Sequence, residues 1–408
     1  MAVSNTGPDA ASGPLPAAFR HLLLTRMGSS FAYQIVSVAL GWQVYAMTGN
    51  PLDLGLIGLA QFLPMLVLTL FVGQAADRYN RRAIVAICLT VEACAALALG
   101  ASALTGTGGR GLLYGLVVLM SIARAFESPT LPTLLPALVP RASIARGTAM
   151  FTSANQAAQI LGPALGGVGY GLGAGWVYCV AALLFLLAML SIVTVAVPHQ
   201  ARRNEVVTLG TFFAGIKFIF QRRILLGTLS LDLFSVLLGG ATALLPIYAK
   251  DILHAGPWAL GLLRASPACG AILMSLALAR HSLRGHIGRQ LFSALLVFGL
   301  ATVVFGLSRS IPLSIFALAT IGAADSLSMV VRGTLVQLNT PNEMLGRVSA
   351  VNMLFVGTSN QLGEFESGLT AALLGAVPAV IVGGVGTIVV TLLWMWWFPE
   401  LRRLRSLQ

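Results

Sequence analysis

The 408-residue chain is poor in charge: Asp, Glu, Lys and Arg make up 9% of it, against 57% hydrophobic residues. A soluble protein of this size needs roughly a quarter of its residues charged to cover its surface, so a soluble globular domain is excluded. Acidic residues are the scarcest, 13 against 25 basic, giving a net charge of +12. Such a balance raises nucleic acid as a partner, but the basic residues are scattered through many short segments and build no single patch. Cysteine is also scarce. Cys88, Cys94, Cys179 and Cys269 lie in apolar stretches with no CxxC spacing and no neighbouring histidine. That excludes a disulfide framework and a metal site and leaves them as small buried hydrophobes. No Walker-type phosphate loop, HExxH or GxSxG occurs, and the five histidines fall at span ends or in loops. ATP hydrolysis, enzymatic chemistry and a cofactor are therefore not expected. No cleavable leader is visible, and residues 1–17, polar and rich in Gly, Pro and Ala, are predicted to be a flexible tail.

What is abundant is apolar length. A bilayer core of about 30 Å needs about 20 apolar residues as a helix, and backbone groups in lipid must bond internally. Spans are predicted near 20–48, 53–76, 82–104, 112–135, 146–171, 174–197, 223–249, 258–280, 289–308, 311–338, 345–373 and 376–398. An even count puts both termini on one side. Of the basic residues, 18 fall in the termini and the loops on their side. The alternate loops hold 3 (Arg110, Lys250, Arg309), and 4 (Arg26, Arg124, Arg264, Arg332) lie inside spans. Positive charge stays on the cytoplasmic side, so both termini are expected there, in an inner (plasma) membrane.

The longest polar stretch divides the chain nearly in half, and the halves repeat. A shift of 201 lays Thr133 on Thr334, Pro140 on Pro341, Arg146 on Arg347, Ala149 on Ala350, Gly162 on Gly363 and Gly167 on Gly368. A shift of 203 lays Tyr45 on Tyr248, Gly58 on Gly261 and Pro64 on Pro267. The expected organisation is a cytoplasmic N-terminus (1–17), a six-helix bundle (18–197), a cytoplasmic linker (198–222), a second six-helix bundle (223–399) and a basic tail (400–408). The expectation is an all-α polytopic membrane protein of two pseudo-symmetric six-helix halves.

Two local motifs add to this. The loop GQAADRYNRR runs from Gly73 to Arg82. Its glycine admits a close helix neighbour, and Asp77 is suited to bond a helix N-terminus or an arginine, with Arg78, Arg81 and Arg82 alongside. Such a latch must break when the halves move. In the fifth span GPALGG, Gly162 to Gly167, places Gly162 and Gly166 on one face for close packing, while Pro163 frees a carbonyl and permits a bend. The first motif resembles the signature loop of the major facilitator superfamily, and the second the motif of its antiporter, drug-export branches. With FESPTLPTLLPALVP (126–140), NTPNEMLGRVS (339–349) and SNQLGEFESG (359–368), the chain resembles the enterobactin-exporter-like group over nearly its whole length. That resemblance implies twelve helices in the major facilitator fold and proton-driven export of a siderophore or an amphipathic drug.

An ionised side chain inside a membrane is costly and usually marks a path, a relay or a pair. The resemblance implies that the first, fourth, seventh and tenth spans line the cavity, and they carry Arg26; Arg124 and Glu127; Asp232; and Asp325 and Arg332. Arg124 and Glu127 are three apart on one face. An antiporter needs an acid that alternates between holding a proton and favouring substrate, and the candidates are Glu127, then Asp325, Asp232 and Glu366. Glu364 and Glu366 point about 200° apart. Arg264 is a further cavity charge, able to pair with Glu366 or Asp232. Glu92, on a third helix expected at the periphery, is expected to face a neighbouring helix or snorkel. Tyr33, Gln34, Trp42, Tyr45, Asn155, Phe234 and Tyr248 are candidates for a cavity of flat apolar surface with a few polar groups. The segment Trp394 to Phe398 is expected to be an interfacial aromatic belt. The expected partners are a small-molecule substrate, protons, the lipid bilayer and an outer-membrane export system. The competing expectations are an importer or a lysophospholipid flippase on the same scaffold, and a sensor or structural membrane protein.

Overall fold

A computed structural model describes residues 15–140, 143–195, 209–280 and 286–404. No strand occurs among the described residues. The long helices are α1 (Ala17–Thr48), α2 (Pro51–Arg78), α3 (Arg81–Thr105), α4 (Arg110–Thr130), α5 (Ile144–Leu172) and α6 (Ala174–Val193), followed by α7 (Arg223–Leu238), α8 (Pro257–Arg280), α9 (Ile287–Leu307), α10 (Ile311–Leu338), α11 (Asn342–Leu374) and α12 (Ala376–Trp397). Among the described residues nine segments are long and apolar enough to cross a membrane. Helices α1, α5 and α11, at 32, 29 and 33 residues, are long enough but more polar. Between them they carry Gln34 and Gln43, Asn155, Gln156 and Gln159, and Asn352, Asn360, Gln361, Glu364 and Glu366.

Helix ends follow local chemistry. Asn80 caps α3, its Oδ1 accepting from the Arg82 N–H at 3.0 Å. The α5–α6 and α11–α12 turns rest on Gly173 (φ 140°) and Gly375 (φ 91°), a backbone region open to glycine. The two glycines are 202 positions apart, so the turn repeats with the halves. The fourth and seventh spans depart from simple helices. After α4 the chain continues through a 3-10 turn (Leu131–Leu134) and a short helix (Leu135–Leu138), because Pro132 and Pro136 each remove a backbone donor. After α7, Gly239 and Gly240 lead into a 3-10 turn (Ala241–Leu244) and a π-turn (Tyr248–Ile252).

The chain folds into two compact units. One holds α1 as far as Ala39 and the chain from Leu63 through α6; the other holds residues 40–62 and the chain from the helix Leu209–Gln221 onward. In the first, α3 packs on α4 and α6, and Gly28 of α1 lies against Leu184 and Ala188 of α6. In the second, Leu231, Leu291, Phe292, Leu295, Val331 and Trp394 form a core between α7, α9, α10 and α12. The helix Leu209–Gln221 packs through Ile219 on Leu225, Leu229, Val348 and Val351, so part of the polar linker is docked. Trp394 departs from the belt expected of it. It is buried, with its indole N–H donating to Ser230 Oγ at 3.0 Å, while Trp396 and Trp397 are exposed.

Candidate functional site

Within the first unit, α1, α3 and α4 bring four ionisable side chains together. Arg124 Nη1 donates to Glu127 Oε2 and to Ser29 Oγ, both at 2.8 Å, and Ser29 Oγ donates to Glu127 Oε1 at 2.9 Å. The i,i+3 spacing on α4 makes the ion pair, and α1 clamps it. Glu127 is fully buried. The Arg124 guanidinium lies 4.5 Å from the Tyr33 ring centre, and that of Arg26 lies 5.1 Å from the Phe151 ring, both within cation–π range. Two nitrogens of Arg26, Nε and Nη1, are buried without a hydrogen-bond partner. Glu92 is also fully buried, and neither carboxylate oxygen has a partner. It does not snorkel; it lies within electrostatic range of Glu127 and Arg124. Asn155 on α5 accepts from Ser30 Oγ at 3.1 Å.

The antiporter-type motif is positioned by α1. A Cβ on Gly162 would meet Gln34 Cβ at 2.6 Å, and one on Gly166 would meet the Ile35 backbone at 3.0 Å. Pro163 and Gly167 are buried in the same turns of α5. The equivalent glycine of the other half, Gly363 on α11, lies against the carbonyls of Val236 and Leu237 at the end of α7. Each unit thus uses a small residue at the same place to let its fifth helix approach its first.

In the second unit Arg332 serves two aspartates. It pairs closely with Asp232 on α7 and stands 3.5 Å from Asp325 on its own helix, with its Nε donating to the Ser328 carbonyl at 3.2 Å. Asp232 is buried, whereas the Asp325 side chain is 36% exposed. Arg264 lies within electrostatic range of Glu364, and Glu366 accepts from Thr370 Oγ1 at 2.8 Å. The Tyr45 hydroxyl donates to the Asp251 carboxylate, and Lys250 Nζ lies 5.4 Å from the Tyr45 ring. Tyr248 is fully buried, stacked on Phe305 and donating to the Gly306 carbonyl at 3.0 Å. Phe234 is 40% exposed and tilts against Trp394, and Trp42 is half-buried. The latch expected at Gly73 and Asp77 involves side chains outside the described residues. Of the rest of that loop, Arg78 is exposed and Arg82 Nη1 donates to the Val195 carbonyl at 2.9 Å.

Long helices in two units, with charges buried inside each, define a polytopic transporter. A profile of the Major Facilitator Superfamily matches residues 22–363, and the chain belongs to that superfamily, a family of transporters and not of enzymes. It is 28% identical over 399 residues to the enterobactin exporter EntS of Citrobacter koseri, covering 95% of this chain and 94% of that one. The EntS proteins of Escherichia coli and Salmonella typhi are 26% identical over the same length. Among solved structures, a mutant form of the nucleoside transporter NupG is similar with a TM-score of 0.76 at 12% identity, over 93% of this chain and all of that one. A bacterial homolog of the human lysosomal transporter Spinster gives 0.74 at 13%, over 94% and 98%. At such identities these two share the fold alone.

Proposed function

We propose that the protein exports a small amphipathic molecule of siderophore type across the inner membrane by alternating access, in exchange for protons. The observation that carries the reading is the end-to-end likeness to enterobactin exporters, 95% of this chain on 94% of theirs. Twelve spans with cytoplasmic termini, halves at 18–197 and 223–399 joined by the linker 198–222, and a cytoplasmic gate at Gly73, Asp77, Arg78, Arg81 and Arg82 complete it. Proton coupling involves the acids Glu127, Asp325, Asp232 and Glu366, together with the cations Arg26, Arg124, Arg264 and Arg332. Tyr33, Gln34, Trp42, Tyr45, Asn155, Phe234 and Tyr248 contribute to the cavity or shape its walls, and the exported product passes on to an outer-membrane export system. The test is to delete the gene in its host and profile the medium under iron limitation. The exported compound should vanish from the medium and accumulate inside, and a protonophore should reproduce that in the parent strain. Efflux that continues at full rate without a proton gradient rejects the coupling.

A lysophospholipid flippase is the second reading, favoured by one feature. A cavity of about 1040 Å³ between α1, α5 and α6 is lined by Leu24, Phe31, Leu172, Trp176, Val180 and Leu187, with Ser191 among its few polar groups, a surface that suits an acyl chain. Transfer of a fluorescent lysolipid between leaflets of proteoliposomes decides between them.

A further inference from the structure

Glu92 is the acid of the first unit's cluster that the Arg124–Glu127 ion pair leaves out. It is fully buried on α3 with both oxygens unpartnered. An ionised carboxylate without a partner in such a place costs several kcal/mol, and buried polar groups are nearly always satisfied. The elements packed on α3 bring few charges to it. From α4 come Arg124 and Glu127; from α6, Tyr178 and Cys179 lie beside Gly100, two turns away; the turn 131–134 carries nothing ionisable; and on α3 itself Cys88 is one turn back. Arg124 is committed to Glu127 and Ser29. Arg26, within electrostatic range of Arg124 and Glu127, has two nitrogens unpartnered.

We propose that Glu92 is a proton-binding residue of the transport cycle, and that Arg124 is the cation that passes between it and Glu127. This rests on the reading of the protein as a proton-coupled transporter. With a proton on Glu92, Glu127 alone faces two arginines, and the unbalanced charge is Arg26; the Arg124–Glu127 pair, with Glu92 and two Arg26 nitrogens unpartnered, matches that state. When the carboxyl O–H of Glu92 breaks and the proton leaves to water, the new carboxylate takes Arg124, and Arg26 takes over Glu127. Two ion pairs then replace one, with no charge left over. Because Arg26 and Ser29 both sit on α1, the exchange repositions α1 against α3 and α4, which ties the proton to a movement of the helix that carries Tyr33 and Gln34.

The test uses the full chain in liposomes. Dicyclohexylcarbodiimide reacts with protonated carboxyls in apolar surroundings, and its adducts are mapped by mass spectrometry. Labelling is expected at Glu92 in acid buffer and lost in alkaline buffer, with Glu127 unlabelled in both. In Glu127→Gln, Arg124 is free to hold Glu92 ionised, so the Glu92 label should fall. Labelling of Glu127 in place of Glu92, or label on Glu92 at every pH, overturns the proposal. Glu92→Gln should lose accumulation of enterobactin driven by a pH gradient while keeping enterobactin exchange at zero gradient. Gradient-driven accumulation at the wild-type level in that variant overturns it as well. If the wild type itself moves no enterobactin, the exporter reading fails in that respect, and the labelling still decides the role of Glu92.

Discussion

The two units solve the burial of charge in opposite ways. In the first, two arginines and two glutamates converge, yet only one pair forms, between Arg124 and Glu127; a guanidinium and a carboxyl are left over. In the second, a single arginine is shared, and Arg332 holds Asp232 tightly and Asp325 at 3.5 Å. The first cluster has unused partners and can rearrange by exchanging them. In the second the shared cation Arg332 locks α7 to α10. The repeat therefore preserves the scaffold, in the glycine turns at 173 and 375 and the packing faces at Gly162 and Gly363, while the buried charges diverge.

Cutting the attachment should have the largest effect. Arg332→Met leaves Asp232 buried without its partner and should cost about 3–5 kcal/mol, read as a lowered unfolding temperature of the purified protein in detergent. Adding Asp232→Asn should recover most of the loss, and failure to do so would mean the two residues do not depend on each other. Glu127→Gln keeps the shape but removes the charged acceptor of Arg124 and Ser29, a loss of about 1.5–3 kcal/mol by the same assay. Packing variants test the shared scaffold: Gly166→Val and Gly363→Val each push a side chain into a facing backbone, and each should destabilise by about 1–3 kcal/mol. Unequal penalties would break the equivalence of the two faces. Arg26→Met should be mild, losing about 0.5–1 kcal/mol of contact with Phe151, even though proton-coupled transport falls; a large drop in stability would give Arg26 a partner that exchange does not require. The smallest effect is expected at Arg223, whose pair with Glu400 at 3.3 Å has both side chains more than half exposed. Arg223→Ala should change stability by less than about 1 kcal/mol.

The sequence by itself determined where the chain crosses apolar space, because span length is set by the bilayer and by the need to satisfy every backbone group within the segment. It also determined the repeat, the close-packing face of Gly162 and Gly166, and the Arg124–Glu127 pair, all of which depend on positions within one helix. Helical periodicity says which residues share a face but not which helix lies opposite. Only the tertiary structure decided that Arg332 meets Asp232, 100 positions away, that Tyr45 meets Asp251, and that Trp394 is core. It also decided the isolation of Glu92. A signal for that was present in the sequence: a lone glutamate in an apolar span, with Cys88, Leu89, Ala95 and Ala96 at the neighbouring positions of its face and no basic residue to pair with locally. What the spacing could not supply was whether α4 or α1 would bring a partner. The folded unit brings Arg124 within range of Glu92 and binds it to Glu127 instead.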